Sequence, residues 1–159
     1  RYCAGEPAPM AIDWVRCSWK VVFFGHRARS TTSSTSGWAT SATLLGAFTG
    51  PPLPGLGATY DYYSDGSLLL VRLPGHARGQ VGLLANTDRG PIFFVADSCW
   101  MAQSVRENRP PSRIGGLIAD NAGEMAVTIG GLHAFAAARP DVLVVPSHCP
   151  ETFAQVVAK

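Results

Sequence analysis

Three side chains that can bind metal ions follow apolar segments of this sequence. His76 stands in the turn P-G-H-A-R-G, Asp97 ends the segment P-I-F-F-V-A-D, and His148 ends V-L-V-V-P-S-H. Imidazole nitrogens and carboxylate oxygens bind zinc and iron, and a carboxylate can bridge two ions through its two oxygens. A metal bound there would polarise a carbonyl or phosphoryl group and generate hydroxide near neutral pH. These residue types predict a metal site suited to hydrolysis.

Each of the three residues also has a simpler interpretation. His76 could be an ordinary turn residue, because proline and glycine shape this turn without any metal. Asp97 could cap a helix over the following segment S-C-W-M-A-Q. His148 could be a plain strand-end residue. Polar residues collect at strand ends in any case, so position alone is a weak indication of a site.

Four antiparallel strands are predicted between residues 60 and 97. Turn signals at Asp65-Gly66 and at Asp88-Arg89-Gly90 separate apolar segments, and the turn around His76 separates the middle pair. Such apolar strands suit a sheet that is covered on at least one face. The preceding segment T-G-P-P-L-P-G-L-G, residues 49 to 57, is expected to form neither helix nor strand because it is rich in proline and glycine.

Helices and one more strand are predicted after residue 120. Asn121 followed by Glu124 indicates a capped helix start, and the helix should end near Arg139-Pro140. One apolar stripe follows from the spacing of Met125, Ile129, Leu132 and Ala136. A short buried strand should then end near His148, and P-E-T-F-A-Q-V-V-A-K should form a last helix. This order predicts a layered α/β or α+β domain.

Composition and charge exclude several classes of partner. The formal net charge is +2 and the basic residues are scattered, so neither nucleic acid nor an anionic membrane is expected as a partner. No apolar run approaches the ~20 residues of a membrane span. The four cysteines are far apart in the sequence, which favours free thiols and a cytoplasmic protein. Because the sequence begins with Arg1, we expect a processed chain or a piece of a longer one.

The first third of the sequence carries weak structural signals. Residues 30 to 43 contain ten Ser or Thr in fourteen positions, which predicts a loop. The segment W-K-V-V-F-F, residues 19 to 24, could be a buried strand. Cys3, Cys17 and His26 have the residue types of a zinc site, but their spacing matches no common structural zinc motif.

The sequence around the three candidate ligands is similar to that of a known family. The segments Y-S-D-G-S-L-L-L-V-R-L-P-G-H-A-R-G-Q-V-G-L-L, F-F-V-A-D-S-C-W and V-L-V-V-P-S-H-C-P-E, in that order, resemble the second half of the metallo-β-lactamase superfamily. The resemblance spans about residues 56 to 153 and is nearest to members grouped with N-acyl-homoserine lactonases. It implies that His76 binds one metal ion, Asp97 bridges two, and His148 binds the second.

The resemblance also implies a fold and a division of the chain. Residues 56–159 would form the C-terminal half of an αββα sandwich, with a mixed or antiparallel sheet and flanking helices. Residues 1–55 would be a loop-rich leader that matches the family poorly. Two zinc ions are implied as cofactors, with iron or manganese as alternatives.

This sequence departs from the family pattern in two places. The aspartate motif is usually Gly-Asp, whereas Ala96 precedes Asp97 here. The H-x-H-x-D-H signature, which supplies most ligands of the first metal, is absent, and His26 is the only histidine upstream of His76. Three candidate ligands would leave a site for two metals undercoordinated. We therefore expect weak or no metal binding by this chain alone.

Three functions remain open at this point. The resemblance implies a hydrolase of ester, lactone or similar bonds in which a metal-bound hydroxide attacks a small-molecule substrate and Asp97, as a catalytic residue, assists proton transfer. The isolated chain would then be inactive. The alternative is a non-catalytic remnant, or a subunit completed by a partner, which could be a second copy or the missing N-terminal half. A binding module without metal requires the three matching residues to be a coincidence.

Other residues have less specific interpretations. Cys99 and Cys149 lie within two residues of a proposed ligand, yet structural roles are expected for both. Trp100, Met101, Phe93 and Phe94 could line a pocket, although such residues beside a sheet more often belong to a core. His133 is expected to be a solvated or boundary side chain on its helix. An anionic substrate could be bound by Arg106, Arg109 and Arg113, although solvated surface positions are expected for them.

Overall fold

A computed structural model describes residues 47–110, 112 and 118–158 of the protein. Within them one sheet contains β1 (Gly50–Pro52), β2 (Ala58–Asp61), β3 (Leu68–Arg72), β4 (Val81–Thr87), β5 (Gly90–Ala96) and β6 (Leu143–Pro146). The helices are α1 (Ala102–Arg106), α2 (Ala122–Ala138) and α3 (Pro150–Ala158). The strand predicted at 19–24, the loop at 30–43, the Cys3, Cys17 and His26 group and Arg113 lie outside the described residues.

The sheet is mixed, and its strands are neighbours in sequence order. Strands β1 to β5 pair antiparallel, whereas β6 pairs parallel to β5 after the chain has passed through α1 and α2. The predicted four-strand meander is therefore confirmed as β2 to β5. A two-residue turn at Asp88 and Arg89 joins β4 to β5, and Gly90 takes a φ of 102° there.

The first hairpin differs from the prediction in one detail. Strand β2 ends at Asp61, so Tyr62 and Tyr63 belong to the loop rather than to the strand. The Asp61 carboxylate accepts a hydrogen bond from the Gly66 amide at 2.8 Å, which draws the loop back toward the strand end. Side-chain acceptors of this kind favour a turn over continued strand pairing.

The expectation that residues 49–57 form no regular element is wrong. Strand β1 lies within this segment and pairs with β2. Proline has no N–H group to donate to a neighbouring strand. It is tolerated in an edge strand, because one side of that strand has no neighbour to bond. The Thr59 hydroxyl adds a hydrogen bond to the Pro51 carbonyl at 2.9 Å.

The core lies between one face of the sheet and α2. Phe93 of β5 and Phe135 of α2 are fully buried, and their rings meet edge to face with centroids 5.0 Å apart. Leu84 faces Phe93 across the β4–β5 pair and joins the same core. The predicted layered α+β fold, a mixed sheet with flanking helices, is therefore confirmed. Its place as half of a larger sandwich, and the boundary at residue 56, stay predictions.

Helix α2 begins and ends where the sequence indicates. The Asn121 side chain accepts a hydrogen bond from the Glu124 amide at 3.1 Å, and the helix ends before Arg139. Its buried face holds Met125, Thr128, Ile129, Leu132 and Phe135. Ala136, the last member of the predicted stripe, is only partly buried. Among the described residues, no helix is both long and apolar enough to cross a membrane.

Candidate functional site

The three candidate ligands meet at one open depression. Asp97 directly follows β5, and His148 lies two residues after β6, so the parallel pairing of these strands brings both to the same edge of the sheet. His76 lies in the turn between β3 and β4. Its Nε2 is 3.9 Å from Asp97 Oδ2, and His148 Nε2 is 3.1 Å from Asp97 Oδ1. Each carboxylate oxygen therefore has one imidazole beside it.

The turn that carries His76 is fastened to the start of α2. The Pro74 carbonyl accepts a hydrogen bond of 2.6 Å from the Thr128 hydroxyl. Backbone amides continue the contact, since Asn121 N–H donates to the Gly75 carbonyl at 2.9 Å and Asp120 N–H donates to the His76 carbonyl at 3.1 Å. Three successive carbonyls of the turn are thus satisfied by one helix and its leading residues.

Gly75 is required by the close approach of this turn to α2. Its φ is 127°, and a Cβ at this position would come within 2.3 Å of the backbone N and Cα of Met125. An L-residue is strained in this conformation, and the contact with helix backbone leaves no room for a methyl group. The glycine therefore lets His76 sit against the helix start.

Asp97 lies in a tight turn at the end of β5. Ala96 has a φ of 52°, in the left-handed region that favours glycine, and the Ser98 amide donates to the Val95 carbonyl at 3.2 Å. The interpretation of Asp97 as a helix cap is wrong, because α1 begins only at Ala102 and has no side-chain cap. The carboxylate is instead 14% exposed and faces the two histidines.

His148 lies in a more open corner between β6 and α3. Its side chain is 58% exposed, against 23% for His76. The preceding Ser147 amide donates to the Ala96 carbonyl at 3.1 Å, which joins this corner to the turn of Asp97.

The donor types at this site suit zinc, but the donor number does not. Two donor atoms bound to one tetrahedral zinc ion, with bonds near 2.0 Å, lie roughly 3.3 Å apart. The distance from Asp97 to His148 Nε2 is slightly shorter, at 3.1 Å, and the distance to His76 Nε2 is longer, at 3.9 Å. His76 Nδ1 and Asp97 Oδ1 are buried and make no hydrogen bond, so the 3.1 Å approach of His148 Nε2 to Asp97 Oδ1 lacks hydrogen-bond geometry. No group of three or more His, Cys, Asp or Glu side chains in the described residues could hold a metal ion. Zinc usually takes three or four protein ligands, so the described residues do not complete a zinc site.

Both described cysteines are free and buried behind the site. Burial, followed by the nearby Cys149 and Asp97, raises the pKa of Cys99 to about 12, so its thiol stays protonated and unreactive. The Cys149 sulfur accepts a hydrogen bond from the Ala102 amide at 3.5 Å. These contacts fit structural roles.

The remaining polar candidates are engaged elsewhere. His133 Nδ1 lies 2.8 Å from the Val105 carbonyl, so this histidine joins α2 to α1 at the boundary of the core. Arg106 makes two hydrogen bonds to Glu151, at 2.9 and 3.0 Å, and Arg109 contacts Glu107. Neither arginine lines the depression.

Apolar residues complete the depression, which has a volume of about 430 Å³. Trp100 and Ile118 line it together with the three candidate ligands, whereas Phe93 belongs to the buried core. Sequence reasoning missed Ile118, because an isolated isoleucine next to a helix start carries no motif. It also missed Gln80, Ser98 and Thr128, because their roles depend on contacts between segments that are distant in sequence.

Comparisons with known proteins give structural neighbours only. No protein-family model matches this chain, and no curated protein matches it. An N-acyl homoserine lactone hydrolase, solved with N-hexanoyl-L-homoserine at its catalytic metal centre, is 14% identical with a TM-score of 0.49. A variant of AiiA from B. thuringiensis with N-decanoyl-L-homoserine at its active site has the same identity and TM-score. A quorum-quenching N-acyl homoserine lactone lactonase is 15% identical with a TM-score of 0.44.

The matched part of these neighbours is small. The first two matches each cover 63% of this chain and 37% of the neighbour, and the third covers 54% and 33%. This chain therefore spans little more than a third of the length of the structures that it matches. These are similarities to solved structures and assign neither a family nor an activity.

Proposed function

We propose that this chain contributes His76, Asp97 and His148 to the metal centre of a hydrolase that cleaves ester or lactone-type bonds. The observation that carries the proposal is the arrangement of two imidazoles beside opposite oxygens of one carboxylate, at 3.9 and 3.1 Å. A carboxylate that bridges two ions needs one further donor next to each of its oxygens. The pairing of Oδ2 with His76 and of Oδ1 with His148 meets that need.

Each residue at the depression has a part in this proposal. His76, Asp97 and His148 would contribute donors to the metal centre, and Asp97 would also assist proton transfer. When bound, the metal would polarise the substrate carbonyl and lower the pKa of water. Trp100 and Ile118 offer an apolar surface to the substrate beside the polar groups. The volume of the depression falls within the range of small-molecule sites.

The shortage of donors favours a centre that the described residues do not complete by themselves. One imidazole and one carboxylate oxygen per ion fall short of the three or four donors that zinc takes. The remaining donors must come from outside the described residues or from a partner chain. A subunit completed by a partner is therefore the second candidate function, and both candidates predict little hydrolysis by the isolated chain.

Zinc titration of the purified chain by calorimetry tests this proposal. We expect binding that is weak, about micromolar or weaker. Asp97→Asn should reduce the affinity more than about tenfold, since it removes a charged donor from both ions. Asp141→Asn is the matched control, because Asp141 pairs with Arg139 and does not line the depression. Its zinc affinity should equal that of the wild type.

Two outcomes contradict the proposal in different ways. Equal zinc affinity of the wild type and Asp97→Asn would show that this carboxylate is not a metal donor. Tight stoichiometric zinc binding together with lactone hydrolysis by the isolated chain would show that the centre is complete, and would remove the need for a partner.

A further inference from the structure

Gln80 closes the turn that carries His76. Its carbonyl accepts a hydrogen bond from the Leu73 amide at 3.0 Å, and its own amide donates to the Ala77 carbonyl at 3.2 Å. The residue therefore marks the point at which the chain returns from the turn into β4. Its side chain is directed inward, and the residue is only 5% exposed.

Ser98 closes the turn that carries Asp97 in a similar way. Its amide donates to the Val95 carbonyl at 3.2 Å, and its hydroxyl donates to the same carbonyl at 2.7 Å. The residue is completely buried. Two hydrogen bonds from one residue thus hold the chain in the reversal that presents Asp97 to the depression.

The side chains of these two residues bond directly to each other. Gln80 Nε2 donates to the Ser98 hydroxyl at 2.6 Å, and the bond is buried. In the described part of the chain, this is the side-chain hydrogen bond that joins the two turns. The contacts of Thr128, Asp120 and Asn121 fasten the His76 turn to α2 but do not reach Asp97.

A buried polar pair is not needed for stability alone. Replacing both partners of a buried hydrogen bond by apolar groups of similar shape can be nearly neutral, since the desolvation of both polar groups is avoided. What apolar groups cannot supply is a fixed distance and direction between two turns. We infer that Gln80 and Ser98 are positioning residues that set the place of His76 relative to Asp97. This inference rests on the proposed function only in one respect, namely that the placement of His76 serves a metal centre.

The test compares a double apolar variant with the wild type in the absence of metal. In Gln80→Met/Ser98→Ala, we expect the imidazole resonances of His76 to shift and broaden in NMR spectra. Those of His133, which bonds to Val105 on the helical side, should stay unchanged. The melting temperature should change little. The single variant Ser98→Thr keeps the hydroxyl, and its His76 resonances should therefore stay at their wild-type positions.

Zinc titration gives a second measurement on the same variants. Loss of groups that orient metal ligands lowers metal affinity, and because the double variant displaces His76 relative to Asp97, we expect it to bind zinc about tenfold or more weakly. Ser98→Thr should bind zinc as the wild type does. If the double variant is too unstable to study, Gln80→Met alone removes the bond between the two turns and keeps the hydrogen bond from the Ser98 hydroxyl to the Val95 carbonyl.

The outcomes separate the inference from the proposed function. Unchanged His76 resonances and zinc affinity in the double variant, with zinc affinity lost in Asp97→Asn, would overturn the positioning role alone. Displaced His76 resonances, with zinc binding that does not depend on Asp97, would overturn the proposed function and leave the positioning role intact. Equal displacement in Ser98→Thr and Ser98→Ala would show that the hydroxyl is not responsible.

Discussion

His76 and His148 reach the same carboxylate from two differently built supports. The turn of His76 is fastened by hydrogen bonds to Pro74, Gly75 and His76 carbonyls, and its imidazole is 23% exposed. The corner of His148 touches the neighbouring turn through Ser147, and its imidazole is 58% exposed. The backbone that carries His76 is thus held in place, whereas the more exposed His148 side chain has space to reorient when a ligand arrives.

This difference predicts that the two histidines contribute differently to ligand binding. Preorganised donors avoid the entropic cost of ordering a side chain on binding, whereas exposed donors bear that cost when the ligand arrives. Changes around Gly75 should therefore affect both stability and site geometry. Changes around His148 should leave the fold nearly intact.

The largest effect is expected from Gly75→Ala, in the turn that carries His76. The new methyl would collide with the Met125 backbone, and the φ of 127° would be strained, so we expect a loss of about 3 kcal/mol or more in the free energy of unfolding. Urea unfolding of the variant and the wild type measures this loss of free energy. The control is Gly66→Ala, which has a φ of 76° and open space around it, so it should cost only about 1 kcal/mol. Equal losses would refute the role of the close approach.

An effect of opposite sign is expected from Ala96→Gly in the turn that both histidines face. Glycine accepts the φ of 52° without strain, although it also adds freedom to the unfolded chain. We expect a net gain of about 0.5–1 kcal/mol in the free energy of unfolding. Ala85→Gly in β4, where φ is not positive, should be destabilising instead. A destabilised Ala96→Gly variant would show that the alanine methyl group contributes more by packing than it costs in strain.

The smallest effect is expected near the His148 corner, from Glu151→Gln at the start of α3. Hydrogen bonds from Arg106 hold the pKa of the Glu151 carboxyl below its ordinary value of 4.5. The stabilisation is therefore present above that value and is lost as the pH falls below it. The melting temperatures of wild type and variant should differ slightly at pH 7 and coincide by about pH 3. High salt should also remove the difference, because the pair is exposed. A difference that persists at low pH would mean that the effect is not electrostatic.

The sequence predicted the parts of this structure that depend on local patterns. Asn121 with Glu124, and the glycine turns of the meander, have direct physical reasons to form at those positions. The strand at Gly50–Pro52 could not be predicted, because its pairing depends on the distant β2 rather than on its own residues. The meeting of His76, Asp97 and His148 was predicted by resemblance and by strand-end position. Their metal-binding roles stay predictions.

The supports around these residues could not be predicted from sequence. Gln80, Ser98 and Thr128 act through contacts between segments, and nothing in their own neighbourhoods distinguishes them from ordinary polar residues. The absence of a cap role for Asp97 has a similar origin, since the start of α1 at Ala102 is set by how the chain packs after β5.

The parallel pairing of β6 with β5 has a consequence for how the protein folds. Strands β2 to β5 are joined by short turns, so their contacts close small loops and can form quickly. Strand β6 reaches β5 only after α1 and α2 have been traversed, and closing that longer loop is slower. We therefore expect His76 and Asp97 to come together with the meander, and His148 to arrive in a later step. A nascent or partly unfolded chain would hold two of the three candidate ligands together before the third is in place.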